Sequence, residues 1–245
     1  MRDLDFEEEV RGKNMKKEIL KIENIPALLW GEESACVYIY VHGKKSNKEE
    51  AGGFAEKATK RGFQVLSFDL PEHGERKNEN YPCMVWNAVR DLDKVGRYVR
   101  QNWNNICLYG CSLGAYFSLL AYNDYPLQKC LFLSPILDME RLMQNMMKWA
   151  DTCEQELKEK QELPTPLGET LYWDYYRYAK ENPIVKWSAP TAILYGSEDN
   201  LTEREIVESF SKRFNCGLTV LEDGEHWFHT ETQLAALNEW FESNI

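Results

Sequence analysis

Six short apolar runs, each separated from the next by an amphipathic stretch, limit the folds open to this chain more than any other feature. They are ACVYIYV (35–41), FQVLSFDL (63–70), NICLYG (105–110), KCLFLS (129–134), TAILYG (191–196) and GLTVLE (217–222). Their apolar residues are continuous rather than alternating, which fits strands buried on both faces. Helix-like segments lie at 47–61, 84–102, 112–123, 202–214 and 230–243. Strands and helices alternating in this way predict βαβ units, hence a mostly parallel sheet with helices on both faces. The earlier pair KEILKIEN and IPALLWGE predicts an antiparallel hairpin at one edge. A length of 245 residues suits a single large α/β domain spanning 1–245.

One interval breaks the rhythm. From Ser134-Pro135 to about Ala189 there is no strand pattern. MERLMQNMMKWADTCEQELKEK and GETLYWDYYRYAKE predict two or more helices, the second dense in Tyr and Trp, with Pro164 and Pro166 between them. The sheet pattern resumes afterwards and needs both halves to close. Residues 136–189 are therefore predicted to be an inserted helical cap rather than a second domain.

Composition narrows the function classes. The net charge is −11, which argues against a nucleic-acid surface. The seven cysteines are odd in number, show no CxxC or Cys/His cluster, and lie partly in apolar runs, where a free Cys acts as a small core residue. This usage predicts a reducing, cytoplasmic setting. MRDLDFEEEVRGKNMKKEIL is charged throughout and has no apolar signal region, and no run has the length of a membrane span. Residues 1–14 are expected to form a loose arm, with Met15 as an alternative start.

The chemistry-bearing stretch is LYGCSLGAY (108–116). A serine hydroxyl is a poor nucleophile and needs a base, a partner for that base, and donors for the oxyanion that it creates. A sharp strand-to-helix turn exposes Ser112 at the end of a rigid strand. Gly110 and Gly114 remove side chains that would collide in so tight a turn. Taken alone, Ser112 could equally be a helix N-cap.

GCSLG in this context resembles the nucleophile elbow of the α/β-hydrolase superfamily, and in particular its esterase and serine aminopeptidase branch. The likeness runs over nearly the whole chain from about residue 17, the cap excepted. It implies a three-layer α/β fold with a mostly parallel twisted sheet. It also implies a triad in the chain order Ser, acid, His. GSED after TAILY is similar to the family's acid turn and offers Asp199, and DGEH after GLTVLE is similar to its His turn and offers His226. His42-Gly43 follows the first central strand, where the resemblance puts the loop with the second oxyanion donor. The two donors would be the backbone N–H groups of Lys44 and Leu113. FDLPEHGERK resembles the family's Asp-x-x-Gly-His-Gly-x-Ser loop through Asp69, His73 and Gly74, but Glu72 replaces a glycine and Arg76 a serine.

Each assignment has a rival. His229 lies three residues after His226, near the start of the last helix, and is read as a cap or surface residue. Glu198 adjoins Asp199, and Asp138, in SPILD, occupies an alternative acid position; the family's chain order favours Asp199. His42 and His73 are expected to orient loops. Lys44 and Lys45 could attract an anion or simply be solvated. Cys111 is read as packing. Trp149, Tyr172, Trp173 and Tyr176, with Met143, Met146 and Met147, are expected to give the cap an apolar lining over Ser112.

The resulting expectation is a serine hydrolase cleaving a small-to-medium carboxylic ester, a small-molecule substrate, without metal or organic cofactor. Its rivals are a peptidase on short peptides, with Glu154 or Glu156 receiving the substrate amine, an acyltransferase, and a non-catalytic binding protein on the same fold. Neither nucleic acid nor a membrane is an expected partner, and a homo-oligomer is left open.

Overall fold

The computed structural model describes residues 15–166 and 168–245; the expected arm at 1–14 lies outside them. The strands are β1 (Lys17–Ile22), β2 (Ile25–Trp30), β3 (Cys36–Val41), β4 (Gln64–Phe68), β5 (Asn105–Cys111), β6 (Lys129–Leu133), β7 (Glu162–Pro164), β8 (Thr170–Tyr172), β9 (Thr191–Gly196) and β10 (Gly217–Leu221). The helices are α1 (Gly52–Lys60), α2 (Val85–Asn102), α3 (Leu113–Ala121), α4 (Met139–Trp149), α5 (Glu154–Lys160), α6 (Trp173–Glu181), α7 (Arg204–Phe214) and α8 (Glu231–Asn244).

One eight-stranded sheet runs β1-β2-β4-β3-β5-β6-β9-β10. β1 and β2 form the antiparallel edge hairpin, β2 meets β4 antiparallel, and every later pairing is parallel. The sheet separates two apolar layers. Val37, Ile39 and Val41 of β3 pack on one face with Leu92 and Val95 of α2, Phe117 of α3 and Val207 of α7. Tyr38 and Tyr40, at the intervening positions, pack on the other with Phe54 and Ala58 of α1 and Trp240 and Phe241 of α8. Period-2 alternation thus sends both halves of one strand into cores, which is why the run reads as continuously apolar.

The interval between β6 and β9 corrects one expectation. It holds α4, α5 and α6 but also a small antiparallel hairpin, β7 with β8, in which Leu163 opposite Leu171 is the buried pair. Three residues per strand, with Pro164 ending the first, leave too little alternation to register in the sequence. The segment 139–160 is two helices rather than one, because Asp151 takes a left-handed conformation (φ 51°) that ends α4. Among the described residues no helix is long and apolar enough to cross a membrane.

Candidate active site

The site sits at the carboxyl ends of the parallel strands, where α/β sheets bind ligands. β5 delivers Ser112 into a turn with φ 50° and ψ −117°, a region that an L-residue occupies only under constraint. The constraint is steric. A Cβ on Gly114 would fall 2.4 Å from the His42 carbonyl oxygen and 2.5 Å from that of Val41. A Cβ on Gly110 would fall 2.9 Å from the Ala115 Cα. The two glycines let α3 start directly beneath β3, with Ser112 exposed at the junction.

β9 and β10 end in turns that lock together. Glu198 N–H donates to Gly224 O at 2.8 Å, Ser197 N–H to Leu221 O at 2.9 Å, and Asp223 N–H to Ser197 Oγ at 2.9 Å. Asp199, whose side chain has no exposed surface, accepts on Oδ1 from the amides of Leu201 (2.8 Å) and Thr202 (3.0 Å). Its Oδ2 lies 2.7 Å from His226 Nδ1, and His226 Nε2 lies 2.8 Å from Ser112 Oγ. Three segments more than twenty residues apart thus converge in one hydrogen-bonded line. The backbone N–H groups of Lys44 and Leu113 donate to no protein acceptor among the described residues.

The rival residues are engaged elsewhere. Asp138 caps α4 by accepting from the Arg141 amide at 2.9 Å. Glu198 is exposed. His229 stacks on Trp227 and lies 3.2 Å from Glu225. Cys111 packs, partly buried, against the apolar layer that holds Phe54 and Phe241, and burial pushes its thiol pKa up to about 12.

His42 and His73 fix the loops around the site. His42, 1% exposed, accepts on Nε2 from the Leu70 amide at 3.1 Å, and burial lowers its pKa to about 4. His73 Nε2 accepts from the Lys45 amide at 3.1 Å, and burial lowers its pKa too. Asp69 anchors the same loops, holding the Lys48 ammonium at 2.8 Å and the Glu75 amide at 3.0 Å. The two departures from the family loop have structural roles. Arg76 forms a buried pair with Asp91 at 2.8 Å and donates to Asp69 O at 3.1 Å. Glu72 adopts the left-handed conformation (φ 62°) that a glycine favours, and its carboxylate accepts from the Cys83 amide at 2.6 Å.

A cavity of about 1230 Å³ opens over Ser112 and Leu113. Its apolar wall comes from Met139, Leu142, Met143 and Met146 of α4, with Trp149, Leu171 and Tyr172. Of the four aromatic residues expected there, Trp149 and Tyr172 line the cavity. Trp173 and Tyr176 do not. Tyr176 has no exposed surface and donates to Glu154 at 2.9 Å, tying α6 to α5, while Trp173 packs against it. Met147 is core as well. Tyr175 takes the place expected of Tyr176; the i, i+3 spacing from Tyr172 is the signal that could have found it. Lys44 and Lys45 do meet an anion, the chain's own Glu169, which forms ion pairs with both.

The family model described as "Serine aminopeptidase, S33" matches residues 32–170, more than half of the chain. No curated protein matches the sequence. Among solved structures, ferulic-acid-bound Est1E from Butyrivibrio proteoclasticus superposes with a TM-score of 0.75 at 20% identity, covering 93% of this chain and 98% of that one. Mouse alpha/beta hydrolase domain-containing protein 10 gives 0.74 at 15% identity, with 93% and 97% covered. The Pyrococcus furiosus esterase PF2001 gives 0.67 at 18% identity, with 94% and 88% covered. At these identities the likeness establishes the shared fold. With the elbow, the sheet order and the family match in agreement, the chain belongs to the serine aminopeptidase S33 family of the α/β-hydrolase superfamily.

Proposed function

We propose that this protein is a serine hydrolase cleaving small-to-medium neutral carboxylic esters through an acyl-enzyme on Ser112. The observation that carries the reading is the unbroken line from Ser112 Oγ through His226 to the buried Asp199, at 2.8 and 2.7 Å. His226 Nε2 takes the Ser112 proton as the hydroxyl oxygen attacks the ester carbonyl. Asp199 holds the ring through Nδ1 and stabilises the imidazolium. The amides of Lys44 and Leu113 receive the developing oxyanion. Collapse returns the proton to the leaving alcohol. Water, deprotonated by the same ring, then releases the acid and restores Ser112. No step calls on a metal or an organic cofactor.

The cavity supports a neutral acyl group. Burying an unpaired charge against Met143, Met146 and Leu171 would cost several kcal/mol. Methionines adapt to varied shapes, so selectivity among acyl chains is expected to be loose. That Est1E is solved with ferulic acid makes esters of aryl acids worth including among the substrates tried.

The family description favours a second reading, cleavage of peptides from a free amino end. It needs an unengaged carboxylate near Ser112. Among the described residues the two glutamates lining the cavity are both occupied, Glu72 by the Cys83 amide and Glu169 by Lys44 and Lys45. Glu154 and Glu156 lie on α5, outside the lining, paired with Lys180 and Lys160. These engagements favour the ester. The deciding experiment compares p-nitrophenyl butyrate with aminoacyl-p-nitroanilides under one set of conditions. Faster ester turnover is expected. Faster anilide turnover would replace the ester reading with the peptidase one on the same triad.

A further inference from the structure

A second cavity, of about 410 Å³, lies on the far side of Met139 from the first, and Met139 lines both. Its walls come from α3, from the turn leading into α4, from the end of α6 and from one side of α7. Met139 aside, the proposed reaction uses none of it.

Two independent features mark it as a binding site. The first is Tyr116, which lines it, is 2% exposed, and has a hydroxyl without a hydrogen-bond partner among the described residues. A buried hydroxyl left unmatched is costly and uncommon, so a vacancy of this kind calls for a partner. The second is the charge around it. Asp138, Glu140 and Glu205 line the cavity against a single cation among the described residues, Arg213. Arg213 is already occupied, donating to Val185 O at 3.3 Å and lying 5.0 Å over the Phe214 ring. Glu205 has no ion-pair partner among the described residues, and Asp138 spends one oxygen on its helix cap. Between these polar groups the surface is apolar, from Leu137, Ile184, Ile206 and Phe210.

We propose that this cavity binds an amphipathic primary amine, its ammonium held by the carboxylates of Glu205 and Asp138 and by the Tyr116 oxygen, its hydrocarbon body lying on the apolar surface. An ammonium carries three donors and no acceptor, which matches a wall of acceptors. Charge-assisted bonds of this kind are the strong ones. A carboxylic acid or phosphate of the same shape would face three like charges against the one opposite charge of Arg213.

The test uses 2-phenylethylamine as the probe and 2-phenylethanol, of the same shape without the charge, as its control. Binding is followed by calorimetry on the whole protein and mapped by amide chemical-shift changes. The expected result is amine binding at least about tenfold tighter than the alcohol, with shifts along α7 and around Tyr116 and Asp138. Glu205→Gln and Tyr116→Phe should each weaken the amine several-fold. Because the Tyr116 hydroxyl has no partner among the described residues, Tyr116→Phe breaks no hydrogen bond of the protein itself and should leave its melting temperature unchanged or raise it. Equal affinity for amine and alcohol would overturn the proposal. So would amine binding unaffected by both variants, or shifts confined to Ser112, Leu142 and Met143. Binding is read directly, so failure here leaves the ester reading standing, and failure of ester turnover leaves this site standing.

Discussion

The strand-end turns of the sheet and the cap that covers them are built on different physics. In the turns, backbone meets backbone. Gly114 lies under the carbonyls of Val41 and His42, and the turns after β9 and β10 exchange three hydrogen bonds. In the cap, side chains meet side chains. Tyr176 bonds Glu154, Lys180 pairs with Glu154, and α4 lays methionines into a cavity. Backbone contacts tolerate no substitution of shape, whereas methionine and exposed ion pairs tolerate many. The turns are therefore expected to govern whether the protein reacts at all, and the cap to govern what it accepts.

The sharpest test of that division sets two aspartates after two neighbouring strands against each other. Asp199→Asn leaves the size of the side chain intact but removes the charge beside His226. By analogy with serine proteases, kcat should fall by about 10⁴. Asp138→Asn should change kcat little, because asparagine caps a helix as well as aspartate does. The reverse ranking would move the acid to the strand before the cap and break the comparison.

Gly114→Ala tests the backbone contacts directly. The added methyl would meet two carbonyl oxygens inside contact distance, and neither belongs to a flexible side chain. A loss on the order of 3 kcal/mol in denaturant unfolding, together with loss of ester turnover, is expected. An Ala variant of wild-type stability would show that the elbow is less constrained than the contacts imply.

His42 gives the same region a dependence on pH. In the folded protein burial keeps the ring neutral down to about pH 4, whereas an unfolded histidine protonates near 6.5. Between these values the unfolded chain binds more protons, so stability falls as pH drops from about 6.5 to about 4. The single group contributes roughly 3 kcal/mol across that window. His73, lowered in the same direction, adds to the slope. Unfolding midpoints measured at pH 7 and pH 4.5 should differ less in His42→Gln than in the wild type. An unchanged difference would contradict this origin of the slope.

The smallest effects are expected in the cap. Tyr175→Ala removes part of the cavity wall and should lower kcat/KM by roughly tenfold for a butyrate ester. Tyr176→Phe removes a hydroxyl that faces Glu154 rather than substrate and should change kcat/KM by less than about twofold. Equal effects would mean that the division within α6 is wrong.

The same contrast explains what the sequence made legible. Buried strands announce themselves because both faces are apolar, as with Val37 and Tyr38 on opposite sides of β3. Turns announce themselves through glycine at fixed offsets, as with Gly110 and Gly114 around Ser112. The order of Asp199 and His226 after their strands follows from the sheet. The cap gives weaker signals. A three-residue hairpin has no measurable period, and aromatics in α6 look alike whether they face the cavity, as Tyr175 does, or the neighbouring helix, as Tyr176 does. The tie between Glu169 and the two lysines joins residues 125 and 124 positions apart, and nothing local in the sequence points to it.

The central claim, that Ser112 is the nucleophile activated by His226 and Asp199, is tested most directly by covalent labelling with a fluorophosphonate, read by intact mass and peptide mapping. The wild-type protein should gain one adduct, on the peptide carrying Ser112. Asp199→Asn should label far more slowly, and Ser112→Ala should not label while keeping the wild-type melting temperature. An adduct that persists in Ser112→Ala, or that maps to another residue, would contradict the account.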